Sequence, residues 1–153
     1  MRQPPDTDIR LANVADVAAL APLFDAYRVF YGKPSDIAVA RGFLTDRFHN
    51  DQSVIFIAIR SDGIAVAFTQ LYPSFSSVSA APTFILNDLF VAPEARRSGV
   101  AVKLLDAAKT YAAAIGAIRL SLSTAIDNDA AQALYASQGW RRDTQFYTFT
   151  LPL

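Results

Sequence analysis

Cysteine is absent from the chain, which removes disulfide frameworks, thiolate metal sites and cysteine nucleophiles from consideration. An excess of either charge is absent too: 14 basic side chains balance 14 acidic ones, so no bulk field draws the protein to nucleic acid. Long apolar runs are missing, each broken within about ten residues by charge, glycine or proline and far short of a bilayer span. The opening Met1-Arg2-Gln3-Pro4-Pro5-Asp6 lacks the apolar core of a signal peptide. Together these gaps point to a cytoplasmic protein with no metal site, no nucleic-acid partner and no membrane partner. What remains is 153 residues of which 52% are apolar, enough for one domain, residues 1–153, with a core of its own.

The order of elements carries more than the composition does. Residues 8–12 alternate as a short strand, and Asn13 reads as a helix cap with Asp16 near the positive end of the dipole. Val14, Val17, Leu20, Leu23, Phe24, Tyr27 and Phe30 then recur at helical spacing until Gly32 and Pro34. A second helix is expected over residues 35–49. Strands at 53–59 and 64–71 flank Ser61-Asp62-Gly63, a hairpin signal. A Ser/Pro-rich loop over 73–82 leads to a strand at 83–91, and a helix runs from Gly99 to a stop at Gly116. A half-buried strand at 118–123, a short helix at 129–137 and a last strand at 145–151 complete an α+β pattern.

Chemistry concentrates between Leu86 and Ala101. A strand ends at Pro93, a short basic turn follows, and a helix begins at Gly99. Such a turn can aim several backbone N–H groups at one point, where the helix dipole also favours an anion. Gly99 and Ala101 leave the backbone bare, and Arg96 and Arg97 add full charge beside it. Together they would hold a pyrophosphate, although an Arg-x-x-Gly-x-Ala by itself is also what an ordinary surface loop can contain. Further on, Asn128 and Tyr135 are two helical turns apart, on one face with Ala131 between them.

The segment Asp88-Leu89-Phe90-Val91-Ala92-Pro93-Glu94-Ala95-Arg96-Arg97-Ser98-Gly99-Val100-Ala101 resembles motif A of the GNAT acetyltransferase superfamily. Ser123-Thr124-Ala125-x-x-Asn128-x-x-Ala131-x-x-Leu134-Tyr135-x-x-x-Gly139-Trp140 resembles its motif B. The early helices and Phe146-Tyr147-Thr148-Phe149 are similar to the subgroup of spermidine/spermine and yeast histone/D-amino-acid acetyltransferases. The resemblance implies a mixed, mostly antiparallel sheet of about six or seven strands, flanked by helices and splayed at the acetyl-CoA site. It implies that Leu89, Phe90 and Val91 on the strand, and Arg96, Arg97, Ser98, Gly99, Val100 and Ala101 in the turn, bind acetyl-CoA. Asn128, Ala131 and Tyr135 would do so from the later helix. It also implies a homodimer paired through the last strand, and a primary amine as acceptor.

Acetyl transfer requires a neutral amine, whereas a lysine-like amine has a pKa of about 10.4 and is mostly protonated at neutral pH. The resemblance makes Tyr135 the acid that protonates the leaving thiolate and a backbone N–H at Phe90-Val91 the oxyanion donor. The polyamine enzymes place a glutamate where this chain has Asn87, and an amide cannot accept a proton. Asp88 is adjacent, but strict strand alternation would turn it to the opposite face. The expected base is therefore water, ordered by Asn87. Without that glutamate, a non-catalytic acyl-CoA-binding module stays open beside the enzyme. A dinucleotide or ATP fold does not fit, because neither Gly-x-Gly-x-x-Gly nor Gly-Lys-Ser/Thr occurs in the turn. His49 reads as a cap for helix carbonyls, and Trp140 as packing against the sheet.

Overall fold

Alternating β-branched and aromatic residues build the sheet around which the first part of the chain is organised. In the computed structural model, which describes residues 6–153, strands β1 (Thr7–Leu11), β2 (Val54–Arg60), β3 (Ala65–Ser76), β4 (Ala81–Val91) and β5 (Leu120–Ser121) lie side by side in that order. β1 to β4 are antiparallel; β5 joins β4 in parallel through Phe84↔Leu120 and Ile85↔Ser121 alone. Beyond Ile85, β4 has no strand partner on its β5 side among the described residues. The chain divides into two compact units, the first ending at Leu122 and the second spanning Ser123–Leu153. The signal-peptide reading of residues 1–5 lies outside the described residues.

Helices α1 (Val17–Phe30) and α2 (Ile37–His49) cover one face of the sheet, and α3 (Val100–Ile115) packs against the other. On the first face Leu20, Phe24 and Leu44 meet Ile55, Ile57, Phe68 and Phe90. On the second, Val100 and Leu104 meet Phe56, Ala58, Val66 and Ala67, with Tyr111 edge-on to both Phe56 and Phe84. The expected cap at Asn13 is present: its side chain accepts from Ala15 N at 2.9 Å, and Asp16 accepts from Asn13 N at 2.8 Å. These bonds hold a 3-10 turn at Val14–Asp16, so regular α-helix begins only at Val17. α3 ends where Gly116 adopts φ 87°, a left-handed geometry that costs glycine nothing. Among the described residues no helix is long and apolar enough to cross a membrane.

Four expectations change. The Ser/Pro segment at 73–82 is largely strand, because β3 continues to Ser76 and turns straight into β4 at Ala81. Pro73 is tolerated there because β2 pairing stops at Leu71, so that side of β3 has no neighbour to bond. The sheet has five strands, not six or seven. Residues 145–151 form no strand: alternation makes a strand only where a neighbouring backbone pairs with it, and here Phe146, Tyr147 and Phe149 stand 79–92% exposed. The carbonyl-capping role at the end of α2 falls to Asn50, whose side-chain amide donates to Asp46 O at 2.8 Å, not to His49.

The α1–α2 connection is pinned by Asp25, a buried carboxylate that accepts from Ser35 Oγ at 2.6 Å and Asp36 N at 2.7 Å. Those two bonds, the hydroxyl first, hold its pKa below the usual carboxylate value. A depressed folded-state pKa stabilises the fold above the unfolded value of about 3.9 and loses that contribution as pH falls through the folded value. Asp25→Asn is therefore expected to melt earlier than the wild type at neutral pH, with the gap closing as the solution is acidified below about pH 4. Thermal melts followed by circular dichroism across pH check it. A gap independent of pH would remove the carboxylate's charge from the argument.

Candidate active site

β4 does not alternate evenly. Its register with β3 runs Leu71↔Leu86 and then Gln70↔Asp88, leaving Asn87 as the extra residue of a bulge. Before the bulge, Phe84 packs on Tyr111 of α3; after it, Leu89 and Val91 take the α3 face while Asp88 and Phe90 turn to the α1 side. The expectation that Asp88 would face away from Asn87 fails for this reason. Asn87 Nδ2 donates to Asp88 Oδ1 at 3.0 Å.

A polar cluster closes around Asp88, which is buried under α1. Gln70 Nε2 donates to Asp88 Oδ2 and to the Tyr72 hydroxyl at 3.1 Å, while Ser53 Oγ donates to Gln70 Oε1 at 2.7 Å. The Tyr27 hydroxyl reaches Asn87 O at 3.5 Å and lies beside the Asp88 carboxylate. Burial, then the Asp88 charge, pushes the Tyr27 phenol well above its ordinary value. The same causes, opposed by Arg47, push Tyr72 up to about 12. Both phenols therefore stay protonated near neutrality and can donate. Two tyrosines, two amides and one carboxylate form a site able to hold and move a proton.

The turn after β4 has the geometry that its sequence suggested. Arg97 takes φ 60° and Gly99 φ 79°, so the chain coils tightly before α3. No side chain caps α3, which leaves the N–H groups of Val100, Ala101 and Val102 without acceptors in the helix. A Cβ at Gly99 would meet nothing within 4 Å, so a ligand has open approach to the backbone. Arg97 is exposed and makes no ion pair among the described residues. Arg96 is committed differently: its Nε donates to Val91 O at 3.0 Å and its guanidinium lies 5.9 Å from the Phe90 ring centroid. It braces the turn against the strand. Phe90 itself is core, packed on Phe68 and Tyr27, so only its backbone is available to a ligand. Among the described residues no group of three or more His, Cys, Asp or Glu side chains could hold a metal ion.

In the second unit, helix α4 (Asp129–Ser137) is capped by Asn128, whose Oδ1 accepts from Ala131 N at 3.1 Å. Tyr135 lies one face along, with its ring 5.9 Å from that of Trp140. Trp140 thus packs on Tyr135 and bonds back to the Tyr135 carbonyl at 3.0 Å.

A family model described as the Acetyltransferase (GNAT) family matches residues 20–140. The chain belongs to the GNAT acetyltransferase family. It is 49% identical over 144 residues to the uncharacterized N-acetyltransferase YhfO of Bacillus subtilis (strain 168), covering 94% of this chain and 96% of the relative. A crystal structure of a probable acetyltransferase superposes with a TM-score of 0.91 at 44% identity, over 95% of this chain and 97% of that one. The aminoglycoside N-acetyltransferase AAC(6')-Iy, solved in complex with CoA, shares the fold at TM-score 0.77 and 21% identity, over 100% of this chain and 99% of that one. The GNAT chain is accordingly an acyltransferase enzyme of a family that uses acetyl-CoA. None of these relatives carries the name of a polyamine or histone acetyltransferase, and the likeness to that subgroup is unsupported.

Sequence reasoning singled out the turn from Arg96 to Ala101 and missed Tyr27, Gln70, Tyr72 and Asp88 as a group. The only sequence signal was Thr69-Gln70, two polar residues inside the apolar run of β3. The turn makes a direct prediction. Wild-type protein should bind acetyl-CoA and CoA in a calorimetric titration, and Arg97→Glu with Gly99→Glu should weaken both by about 100-fold, the loss expected for one or two charge-assisted contacts. Unchanged affinity in a folded double variant would place the CoA phosphates elsewhere.

Proposed function

We propose that the enzyme transfers the acetyl group of acetyl-CoA to a primary amine by direct attack, with Asp88 accepting the amine proton. The observation that carries this reading is the β4 bulge, because it turns a buried carboxylate toward two protonated tyrosines next to an unpaired strand edge. Asp88 would take the proton from the incoming ammonium, and Asn87 and Gln70 would hold the carboxylate in place. The free amine then forms the new C–N bond. A backbone N–H on the open edge of β4, near Phe90-Val91, would stabilise the oxyanion. Tyr135 would protonate the thiolate as the C–S bond breaks, and the second proton lost by the amine nitrogen would return to the Tyr135 phenolate through water. The water relay ordered by Asn87 gives way here to an acid that Asn87 itself contacts.

The turn at Arg97-Ser98-Gly99 and the bare first turn of α3 fit the pyrophosphate of CoA, and the likeness of Asn128 and Ala131 to motif B makes them candidates to bind the same cofactor. The family match runs across the boundary between the two units, which supports residues 1–153 acting as one catalytic domain. The likeness to polyamine enzymes is not carried further, because their glutamate position holds Asn87. The absence of cysteine suits a cytoplasmic setting.

Asp88→Asn should lower kcat roughly 100- to 10,000-fold while acetyl-CoA affinity holds. Tyr135→Phe should also lower kcat without loss of affinity. Thiol release from acetyl-CoA, measured against pH with a panel of amines, checks both; full turnover at every pH would strip the altered residue of its role. The apolar, unpaired 146–151 segment supports a homodimer formed through the C-terminal region. Light scattering at micromolar concentration should give twice the chain mass, and the mass of one chain would remove the dimer.

A further inference from the structure

An open groove of about 520 Å³ lies between the C-terminal half of α2 and the middle of β3. Phe43 and Arg47 form its helix side, Tyr72 and Pro73 its strand side, and Asp51 and Gln52 the rim between them. Its volume lies within the range of about 300–1,000 Å³ found for small-molecule sites. Tyr72 links it to the proton-handling cluster, since the hydroxyl that borders the groove accepts from the same Gln70 amide that donates to Asp88. The groove is thus joined to Asp88 through Tyr72 and Gln70, and Arg47 is the one cation among the described residues that lines it.

Arg47 is the charged group whose posture is set. Its guanidinium stacks on the Phe43 ring at 4.5 Å, and its Nε donates to Gln52 Oε1 at 3.0 Å. Stack and bond immobilise the plane of the guanidinium and occupy Nε, leaving the two Nη groups, the pair that meets a carboxylate in a bidentate fork. Among the described residues the ion pairs are Arg10–Asp16, Arg60–Asp62 and Lys103–Asp6, so no protein carboxylate claims Arg47. A cation in the last turn of α2 also suits the helix dipole, but that role requires neither the stack on Phe43 nor the bond to Gln52. Asp51, exposed at the rim with φ 50°, carries the opposite charge and would favour a second amine instead. No side-chain hydrogen bond or stack fixes its carboxylate as Arg47 is fixed.

We propose that the acetyl acceptor is an amine that also bears a carboxylate, an amino acid or short peptide, whose carboxylate pairs with Arg47 in this groove. The inference rests on the acetyl-transfer reading above and adds the substrate class to it. The amine would lie toward Asp88, the carboxylate would bridge to the Nη groups of Arg47, and an apolar side chain would rest against Phe43 and Pro73. Transfer leaves the carboxylate untouched: the amine nitrogen gains the acetyl group, one of the two protons it loses goes to Asp88, and the other balances the one Tyr135 gives to the leaving thiolate. Arg47 is a specificity residue in this scheme and touches no reacting atom.

The test compares L-leucine, L-phenylalanine and glycyl-L-phenylalanine, each as free acid and as C-terminal amide, with putrescine alongside, by thiol release from acetyl-CoA. In wild-type protein the free acids should exceed their amides in kcat/KM by about 10- to 100-fold. That preference would run against intrinsic reactivity, because amidation leaves the α-amine less basic and more of it neutral. Arg47→Gln should bring the ratio near one by raising KM for the acids with little change in kcat, and Arg47→Lys should restore part of it. Amides or putrescine used as well as the acids by the wild type, or a ratio unmoved by Arg47→Gln, would overturn the inference while leaving acetyl transfer standing. If no amine of the panel releases thiol, the acetyl-transfer reading is what fails for these acceptors. Calorimetry of glycyl-L-phenylalanine and its amide on the CoA-loaded protein then decides the groove by itself: acid-selective binding lost in Arg47→Gln supports it, and equal or absent binding overturns it.

Discussion

The single extra residue at Asn87 sets the two faces of β4, and most of the first unit depends on the result. Without it, Phe84, Leu86, Asp88 and Phe90 would share one face, and either the α3 contact of Phe84 or the α1 contact of Phe90 would be lost. With it, Phe84 reaches Tyr111 on one side while Phe90 reaches Phe68 and Tyr27 on the other. Both cores are filled from one strand. The same shift puts Asp88 on the α1 side beside Gln70 and Tyr27, where regular pleating from Phe84 would turn it toward α3.

Burying that carboxylate carries a cost that neighbouring donors offset. An unpaired charge in an apolar interior is destabilised by several kcal/mol, on the order of the whole margin of a small domain. Asp88 meets the amides of Gln70 and Asn87, and Gln70 is itself held by Ser53. Thr69 Oγ1 donates to Asp88 O at 2.8 Å, fixing the backbone as well. The network is connected from Ser53, just ahead of β2, across β3 to β4, so each member restrains the next. Such a site keeps its geometry when the outer groups change, which is what a proton-accepting group needs.

The turn to α3 and the bulge serve complementary ends of one strand. At its exit, left-handed geometry at Arg97 and Gly99 exposes backbone donors, and Arg96 ties the turn to Val91 and Phe90. In its middle, β4 has no strand partner on its β5 side beyond Ile85 among the described residues. The family match gives these features their chemical meaning; without it an arginine-rich turn before a helix has many uses.

Local chemistry by itself determined a good deal. Asn13 as a cap, the Ser61-Asp62-Gly63 hairpin, the stop at Gly116 and the turn from Arg96 to Ala101 were legible because each depends on residues close in sequence. The family was legible for the same reason: its signature lies in short contiguous motifs. What only the tertiary structure decided depends on partners far along the chain. The bulge exists in the pairing of Gln70 with Asp88, eighteen positions apart, and no alternation in β4 announces it. Pro73 becomes strand because β2 pairing stops at Leu71, and the alternating 145–151 segment forms no strand among the described residues. Arg47 joins Tyr72 in one groove only once α2 is laid along β3. Sequence period reports which way a side chain would face in a regular element; the contacts made between elements decide whether the element is regular at all.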